Sequence, residues 1–440
     1  MKDFPKLLIS DAKGRVYDVP GLAATGMKSG AYYRLKVEDL VPLHSDSELF
    51  MLPDRSPVGY DPVTGRFKVI SGDTLTNGPC SAVAAFMAPG YTSTYSASFS
   101  ENDKASRLPL FSYSSAAFYK GRFYASGVRV DSEKRQELSG MDSDLIKKNV
   151  ARFRKLFPSN RLMRHLEKCA LIYGCPAGRN FFLQRYECPL PTSPVCNSRC
   201  LGCISHQPEG RVPVTQPRIT FVPTPEEIAE TALWHMKNVK DPVVSFGQGC
   251  EGEPLMVGEV LVKAVKLIRK ATAKGIVNLN TNASRPDIIR ELFDSGLDSI
   301  RVSMNSVREE FYSAYYKPKG YSFADVLSSI GNAKRVKGFV SVNYLVMPGF
   351  TDSAPEGKAL MAFIARHKID MIQWRNLNYD PLAYFRDLGA EEPEESIGIK
   401  ELISNVYSRY PRLMKGYFNP SRRRMARHRL RRRAFPPRSA

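Results

Sequence analysis

The sequence predicts an α/β protein whose larger part is a full or partial (β/α) barrel preceded by a β-rich domain. From about residue 181, short apolar strands alternate with helical stretches of 10–15 residues. Six such units imply a parallel sheet with right-handed crossovers. Residues 1–140 instead contain turn motifs between short strand-like runs, which is typical of a β-rich domain.

The chain divides into four predicted segments: a β-rich domain of unknown role at 1–140, a helical connector at 141–180, the barrel at 181–410 and an arginine-rich tail at 411–440. The predicted barrel strands are residues 181–186, 243–246, 277–280, 299–304, 340–346 and 371–375. The predicted barrel helices are residues 225–238, 259–273, 285–295, 323–337, 355–367 and 397–409. In such sheets, ligands bind at the carboxyl ends of the strands.

The composition is that of a globular protein. Of 440 residues, 43% are hydrophobic and 25% are charged, which excludes disorder over the full length. The longest apolar stretch, residues 82–89, is far shorter than the roughly 20 residues of a membrane span. The first residues lack an apolar signal-peptide core. We therefore expect a cytoplasmic protein with no membrane span.

The tail carries nine arginines between Arg422 and Arg438 and no acidic residue. Subtracting them from the net charge of +20 leaves +11 for the rest of the chain. Mutual repulsion and low apolar content predict that this tail is disordered when free. It is either a solvated tail without a dedicated partner or a segment that binds RNA or another polyanion by neutralising phosphates.

Three cysteines, Cys196, Cys200 and Cys203, lie close together on the loop after the first predicted strand, with the spacing C-x3-C-x2-C. Three thiolates on one compact loop can hold three irons of a cubic [4Fe-4S] cluster. Because no fourth cysteine follows closely, one iron would stay open to a small molecule. A structural zinc site with His206 as the fourth ligand is the alternative.

A glycine-rich stretch, residues 246–255, follows the second predicted strand. Its glycines let a ligand approach the backbone, and the carboxylate of Glu253 can accept hydrogen bonds from an ammonium group. An ordinary strand-to-helix turn is the alternative. Polar side chains follow the later strands and either contact a ligand or satisfy backbone groups at the strand ends: Asn282, Ser303, Asn305, Arg375 and Asn376.

With these motifs in this order, residues 181–380 resemble the radical S-adenosylmethionine (radical SAM) superfamily. The resemblance implies that the three cysteines ligate the cluster and that S-adenosylmethionine (SAM) chelates the fourth iron. It also implies that the Gly252 backbone and Glu253 hold the methionine amino group of SAM. Asn282, Ser303 and Asn305 are the implied contacts to its ribose or carboxylate.

One position departs from the pattern of the family. The family usually places an aromatic residue just before the third cysteine, where it contacts the adenine, and this chain has Gly202 there. Ile204 or His206 is a candidate to supply the contact instead.

The resemblance implies an enzyme that cleaves SAM reductively to a 5′-deoxyadenosyl radical, which abstracts hydrogen from an unidentified substrate. It also implies a low-potential electron donor of the flavodoxin or ferredoxin type. Two other classes stay open. One is a non-catalytic nucleic-acid-binding protein with a structural metal site and a basic tail. The other is an Fe–S electron carrier, which the missing fourth ligand disfavours.

The remaining clustered cysteines allow two interpretations. Cys169, Cys175 and Cys188 precede the trio and either bind a second, auxiliary cluster or pack as small buried thiols. Cys250 lies three residues before Glu253 and either has a radical or hydrogen-donor role or packs in the core.

Overall fold

The computed structural model describes residues 4–72, 78–103, 105–207, 210, 212–390 and 395–434. It confirms the predicted fold class, because an antiparallel β domain precedes a curled parallel sheet covered by helices. Within the described residues, no helix combines the length and the apolar character needed to cross a membrane.

The N-terminal domain is one antiparallel sheet. Left-handed glycines make two of its tight turns, with φ values of 80° at Gly14 and 75° at Gly121, a region that side chains rarely adopt. Its strands are β1 (Lys6–Asp11), β2 (Val16–Ala23), β3 (Thr25–Lys28), β4 (Ala31–Arg34), β5 (Leu40–Pro42), β6 (Glu48–Leu52), β7 (Arg55–Asp61), β8 (Arg66–Val69), β9 (Cys80–Phe86), β10 (Tyr91–Ser93), β11 (Ser96–Ala97), β12 (Phe99–Glu101), β13 (Ser114–Tyr119) and β14 (Arg122–Arg129).

Three helices connect the two sheets: α1 (Ser143–Leu156), α2 (Arg161–Leu171) and α3 (Pro176–Phe182). The prediction of a first barrel strand at residues 181–186 is wrong, because α3 includes its first two residues and the strand begins only at Glu187. The rings of Phe181 and Phe182 pack edge-on against Phe153 of α1, with centroids 5.3 and 5.4 Å apart. This aromatic packing holds the apolar run as a helix.

The barrel is partial and has seven parallel strands, arranged in the same order as in the chain. Its strands are β15 (Glu187–Pro189), β16 (Val243–Phe246), β17 (Ile276–Thr281), β18 (Ser299–Met304), β19 (Phe339–Val346), β20 (Met371–Asn376) and β21 (Met414–Gly416). β16 and β17 are buried along their whole length, as expected for a parallel sheet whose faces are covered. The last strand extends the sheet beyond residue 410.

Helices follow the strands and cover the outside of the sheet. Thr224 and Ser322 each begin a helix with a capping box, which satisfies backbone amides of the first turn. The helices are α4 (Pro225–Asn238), α5 (Gly258–Ala271), α6 (Pro286–Asp294), α7 (Glu309–Tyr316), α8 (Phe323–Arg335), α9 (Ala354–His367), α10 (Pro381–Leu388) and α11 (Ile399–Arg409).

The prediction of a disordered tail is wrong over α12 (Arg422–Ala434), which is helical. Met425 is buried in a cluster with Val243 and Ile276, at the amino ends of the barrel strands. The helix therefore closes the end of the barrel opposite the expected ligand site. Residues 435–440 lie outside the described residues.

Contacts inside the fold offset part of the repulsion between the arginines of α12. Arg424 forms an ion pair with Asp131 (3.2 Å). Arg422 donates hydrogen bonds to the carbonyl oxygens of Ala273 (2.9 Å) and Gly275 (2.7 Å). These partners lie far from the tail in the sequence. A prediction from the composition of the tail could not include them and therefore gave disorder.

The N-terminal domain packs against the carboxyl end of β20. Arg55 forms an ion pair of 3.1 Å with Asp380, and both side chains are only 1% exposed. Thr92 donates to the carbonyl oxygen of Trp374 (2.8 Å), and the Ser93 amide donates to Oδ1 of Asn376 (2.8 Å). A buried ion pair with further hydrogen bonds fixes the two parts against each other.

Candidate active site

An open cavity lies at the carboxyl ends of the parallel strands, with about 950 Å³ of free space, counting the part open to solvent. Its volume without the part open to solvent is about 290 Å³, at the lower end of the range of roughly 300–1,000 Å³ that is usual for small-molecule sites. The cavity is lined by seven of the eight residues expected to bind the cluster or SAM: Cys196, Cys200, Cys203, Gly252, Glu253, Asn282 and Ser303.

The cysteine loop is held by α7 and the segment after it. The amides of Arg199 and Leu201 donate to the carbonyl oxygens of Tyr316 and Tyr315, each at 3.0 Å. Sequence reasoning missed α7, which is short and begins without a side-chain cap. Three tyrosines that are buried in the structure, Tyr312, Tyr315 and Tyr316, were the sequence signal for a buried element here.

The glycine-glutamate loop is joined to the chain just before the cysteine trio. The amide of Gly252 donates to the Ser193 carbonyl oxygen (2.6 Å), and the amide of Glu253 donates to that of Val195 (2.9 Å). A Cβ at residue 252 would overlap the carbonyl group of Val195, so only glycine fits here. The two motifs, which are far apart in sequence, therefore lie side by side.

Glu253 is buried, and its carboxylate accepts three hydrogen bonds. Oε1 accepts from the Leu255 amide (3.1 Å) and the Thr281 hydroxyl (2.5 Å), and Oε2 accepts from the Asn282 amide (2.8 Å). Burial raises the pKa of Glu253 to about 7, although these hydrogen bonds oppose the shift. Oε2 keeps the capacity to accept a hydrogen bond from a ligand in the cavity.

Glu251 is a site residue that sequence reasoning missed. Its Oε2 accepts from the Thr192 and Ser193 amides (2.7 and 3.1 Å), and Oε1 accepts from the Gln248 amide (2.6 Å). Burial raises the pKa of Glu251 to about 7. This carboxylate fixes the loop after β16 against the segment that precedes the cysteines. The signal in the sequence was an acidic residue inside a glycine-rich turn.

The three polar candidates at the strand ends lie in different places. Asn282 lines the cavity, but its Nδ2 donates to Oδ1 of Asn197 (2.8 Å) and to the Ser198 hydroxyl (3.0 Å) on the cysteine loop. Ser303 lines the cavity. Asn305 is fully buried, and its amide donates to the Phe311 carbonyl oxygen (3.1 Å) and to the Tyr384 hydroxyl (3.2 Å). The structure does not bring Asn305 to the cavity.

The donor set of the cysteine loop fits a metal cluster. Burial raises the pKa of Cys196 to about 11 and that of Cys200 well above its usual range. Buried thiols of this kind become thiolates only beside a compensating positive charge. Arg218 supplies part of that charge, since its guanidinium donates to Sγ of Cys203 (3.5 Å). His206 is exposed and does not line the cavity, which leaves the zinc alternative without its fourth ligand.

A buried arginine makes the inner part of the cavity positive. Arg301 lines the cavity and donates to Oε1 of Gln373 (3.3 Å), while its Nε has no hydrogen-bond partner in the described structure. Burial lowers the pKa of Arg301 to about 9, and the neighbouring charge of Arg375 adds to this shift. A ligand with an anionic group would accept a hydrogen bond from Nε of Arg301. Its negative charge would also stabilise the charged guanidinium and raise the pKa of Arg301.

The space beside Gly202 is occupied by an aromatic residue from another element. A Cβ at residue 202 would lie 2.7 Å from the hydroxyl oxygen of Tyr315, which lines the cavity together with Ile204. Tyr315 therefore occupies the space into which a side chain at residue 202 would extend. Sequence reasoning could not find it, because α7 lies more than 100 residues later.

The remaining clustered cysteines lie in different places. Cys169 on α2 lies against Cys250, with His165 close to both. The Cys250 thiol, helped by His165, holds the pKa of Cys169 below its usual range. Cys188 lies on β15, where its thiol donates to the Pro189 carbonyl oxygen (3.7 Å).

Residues 190–359 match the family model of the Radical SAM superfamily. The chain therefore contains a radical SAM domain at these residues. The matched segment contains the cysteine trio, the glycine-glutamate loop and the ends of β17 and β18. Such a domain implies an iron–sulfur cluster and SAM. No curated protein matches the chain.

The chain is also similar to solved structures of low sequence identity. Native anSMEcpe with bound AdoMet is 18% identical over 44% of this chain and 52% of its own, with a TM-score of 0.35. Methylornithine synthase (PylB) is 15% identical over 61% and 77%, with a TM-score of 0.37. Streptococcus suis SuiB bound to precursor peptide SuiA is 13% identical over 68% and 67%, with a TM-score of 0.35. The match spans about half the length of the first of these structures.

Proposed function

We propose that the protein binds a [4Fe-4S] cluster through Cys196, Cys200 and Cys203 and uses it to cleave SAM reductively. When bound, the cluster supplies the electron for this cleavage, which gives methionine and a 5′-deoxyadenosyl radical that abstracts hydrogen from the substrate. One observation carries the proposal: the three thiols line the same cavity as the Gly252–Glu253 loop.

The residues of the chain take distinct roles in this proposal. Oε2 of Glu253 and the Gly252 backbone receive the ammonium group of SAM, and Ser303 contacts its ribose or carboxylate. Asn282 acts as a positioning residue, because its side chain holds the cysteine loop. Asn305 is left out of the site, since it is buried away from the cavity.

The partners are part of the same proposal. A donor of the flavodoxin or ferredoxin type reduces the cluster, and the substrate class stays open. The tail binds RNA or another polyanion, with Arg423 and Arg427 exposed on α12 as the supporting observation. A cytoplasmic location agrees with eight cysteines that form no disulfide.

Anaerobic reconstitution tests the proposal. The protein is expected to bind about four irons per chain and, with dithionite, to convert SAM to 5′-deoxyadenosine. The triple variant Cys196→Ala, Cys200→Ala, Cys203→Ala should lose both properties. Cys80→Ser is the matched control, because a hydroxyl can keep the hydrogen bond that the Cys80 thiol donates to Ile70.

A colourless protein without this activity would contradict the proposal and favour a non-catalytic nucleic-acid-binding protein. The comparisons give no support to that alternative. A spectral change of the cluster on addition of SAM would exclude a simple electron carrier.

A further inference from the structure

A second group of metal-ligating side chains lies on the other side of the glycine-glutamate loop. A ring nitrogen of His165 and the Sγ atoms of Cys169 and Cys250 all lie within 4.8 Å of one another. Cys169 and Cys250 are buried, and His165 is half-buried. The group contains none of the cysteines of the proposed cluster site.

The fold brings these residues together from two elements. His165 and Cys169 are four residues apart on α2, so both project from the same face of that helix. Cys250 comes from the loop after β16. The contact therefore connects the helical connector with the loop that carries Glu253.

Cys175 is the candidate for a fourth donor, but its Sγ is not within 4.8 Å of all three of these atoms, so its side chain must turn toward them when an ion binds. Cys175 follows α2, and its amide donates to the Cys169 carbonyl oxygen (2.9 Å). A Cβ on Gly178, in the next turn, would lie 3.2 Å from the Cβ of Cys169, so the start of α3 packs directly on this residue. Cys175 is partly exposed, which leaves a path for an ion to enter.

We propose that His165, Cys169, Cys175 and Cys250 form a structural zinc site. Cys3His is a usual donor set for structural zinc, which is bound tetrahedrally. Bonds of about 2.3 Å to sulfur and about 2.0–2.1 Å to nitrogen place these two atoms about 3.6 Å apart. Sγ of Cys169 lies 3.5 Å from Nε2 of His165.

The spacing favours one ion over a second iron–sulfur cluster. Thiolates that bind a cubic cluster lie on different irons and point to separate corners, so they stand further apart than donors that share one ion. The site also explains why α2 packs against the loop after β16. Zinc would tie the two segments by coordination, away from the cavity, which none of these four residues lines.

Metal content tests the site independently of the proposed function. The wild-type protein, purified anaerobically, is expected to contain about one zinc per chain. The triple variant of the cysteine trio should keep that zinc while losing iron. The double variant His165→Ala, Cys169→Ser should lose zinc while it keeps about four irons after reconstitution. Cys80→Ser should keep both metals.

Co²⁺ titration of the zinc-free wild-type protein covers the case in which the double variant does not fold. The expected result is the intense visible absorption of tetrahedral Co²⁺ with thiolate-to-cobalt charge transfer, and a rise of about 5 °C in the unfolding midpoint. Three results would overturn the proposal. They are a protein without zinc that also fails to bind Co²⁺, about eight irons in the wild type with four left in the trio variant, and a disulfide between Cys169 and Cys250.

Discussion

Replacing Gly252 with alanine is the sharpest test of the way in which the two cofactor loops are joined. The new Cβ would overlap the backbone carbonyl of Val195, which cannot move away as a flexible side chain can. Either residues 193–195 or the Gly252–Glu253 loop must shift. The variant therefore separates the glutamate from the cysteine loop without removing a donor from either one.

The magnitude follows from the contacts that are lost. The shift breaks two backbone hydrogen bonds, from Gly252 to Ser193 and from Glu253 to Val195, each worth about 1 kcal/mol. Overpacking adds about 1–3 kcal/mol. If about 2 kcal/mol of this total falls on SAM binding, the Kd for SAM rises about 30-fold.

The assay is isothermal titration of the reconstituted protein with SAM, together with its iron content. Gly331→Ala is the matched control, because a Cβ there meets nothing within 4 Å and lies in a helix that favours alanine. A Gly252→Ala protein whose Kd for SAM lies within about threefold of the wild-type value, with unchanged iron content, would refute the reasoning.

Three further predictions concern other parts of the molecule. Because the pKa of Glu253 is raised to about 7 and the carboxylate is the form that receives an ammonium group, SAM affinity should rise about tenfold between pH 5.5 and 7. Titration of Glu253→Gln should show no such rise. Burial lowers the pKa of His235 to about 4, so the unfolded chain binds a proton there that the folded protein does not. The free energy of unfolding in urea should therefore fall by about 2 kcal/mol between pH 7 and pH 5, and His235→Gln should reduce this loss. Met425→Ala should lower the free energy of unfolding by about 2–3 kcal/mol, because this side chain is 4% exposed beneath the barrel. Leu430→Ala on the same helix should stay within about 0.5 kcal/mol, since Leu430 is 64% exposed.

Sequence reasoning located the elements whose ends carry local signals. The predicted bounds of α4 are the observed ones, because Thr224, Pro225 and Glu227 together define a helix start. The bounds of β18 were also found, since an alternating apolar pattern there ends at a polar loop. In these cases the residues that decide the structure are neighbours in the chain.

The two wrong predictions, the strand at residues 181–186 and the disordered tail, concern residues whose structure depends on distant partners. Residues 181 and 182 are apolar and suit a strand, but their rings find partners on α1. The arginines of α12 repel each other until Asp131 and the carbonyl groups of the barrel surround them. Such partners come from distant parts of the chain, so no local pattern contains them.

In the candidate site, too, sequence reasoning found the residues with local signals and missed those that depend on distant contacts. Its motif residues could be named from spacing and resemblance, because cofactor ligands occur in recognisable order. The residues that hold those ligands in place could not. Arg218, Glu251 and Tyr315 reach the site from loops and helices whose contacts exist only in the folded chain.

Four consecutive residues of one loop are held by three other segments, and this arrangement determines where the Glu253 carboxylate points. Cys250 lies against α2, Glu251 is bound by residues 192 and 193, Gly252 pairs with residue 193, and Glu253 is held by the end of β17. Anchors that share a segment should not act independently. Glu251→Gln and Gly252→Ala both release residue 193, so their effects on SAM affinity should be less than additive. Full additivity in a double-mutant cycle would mean that the two contacts position the loop separately.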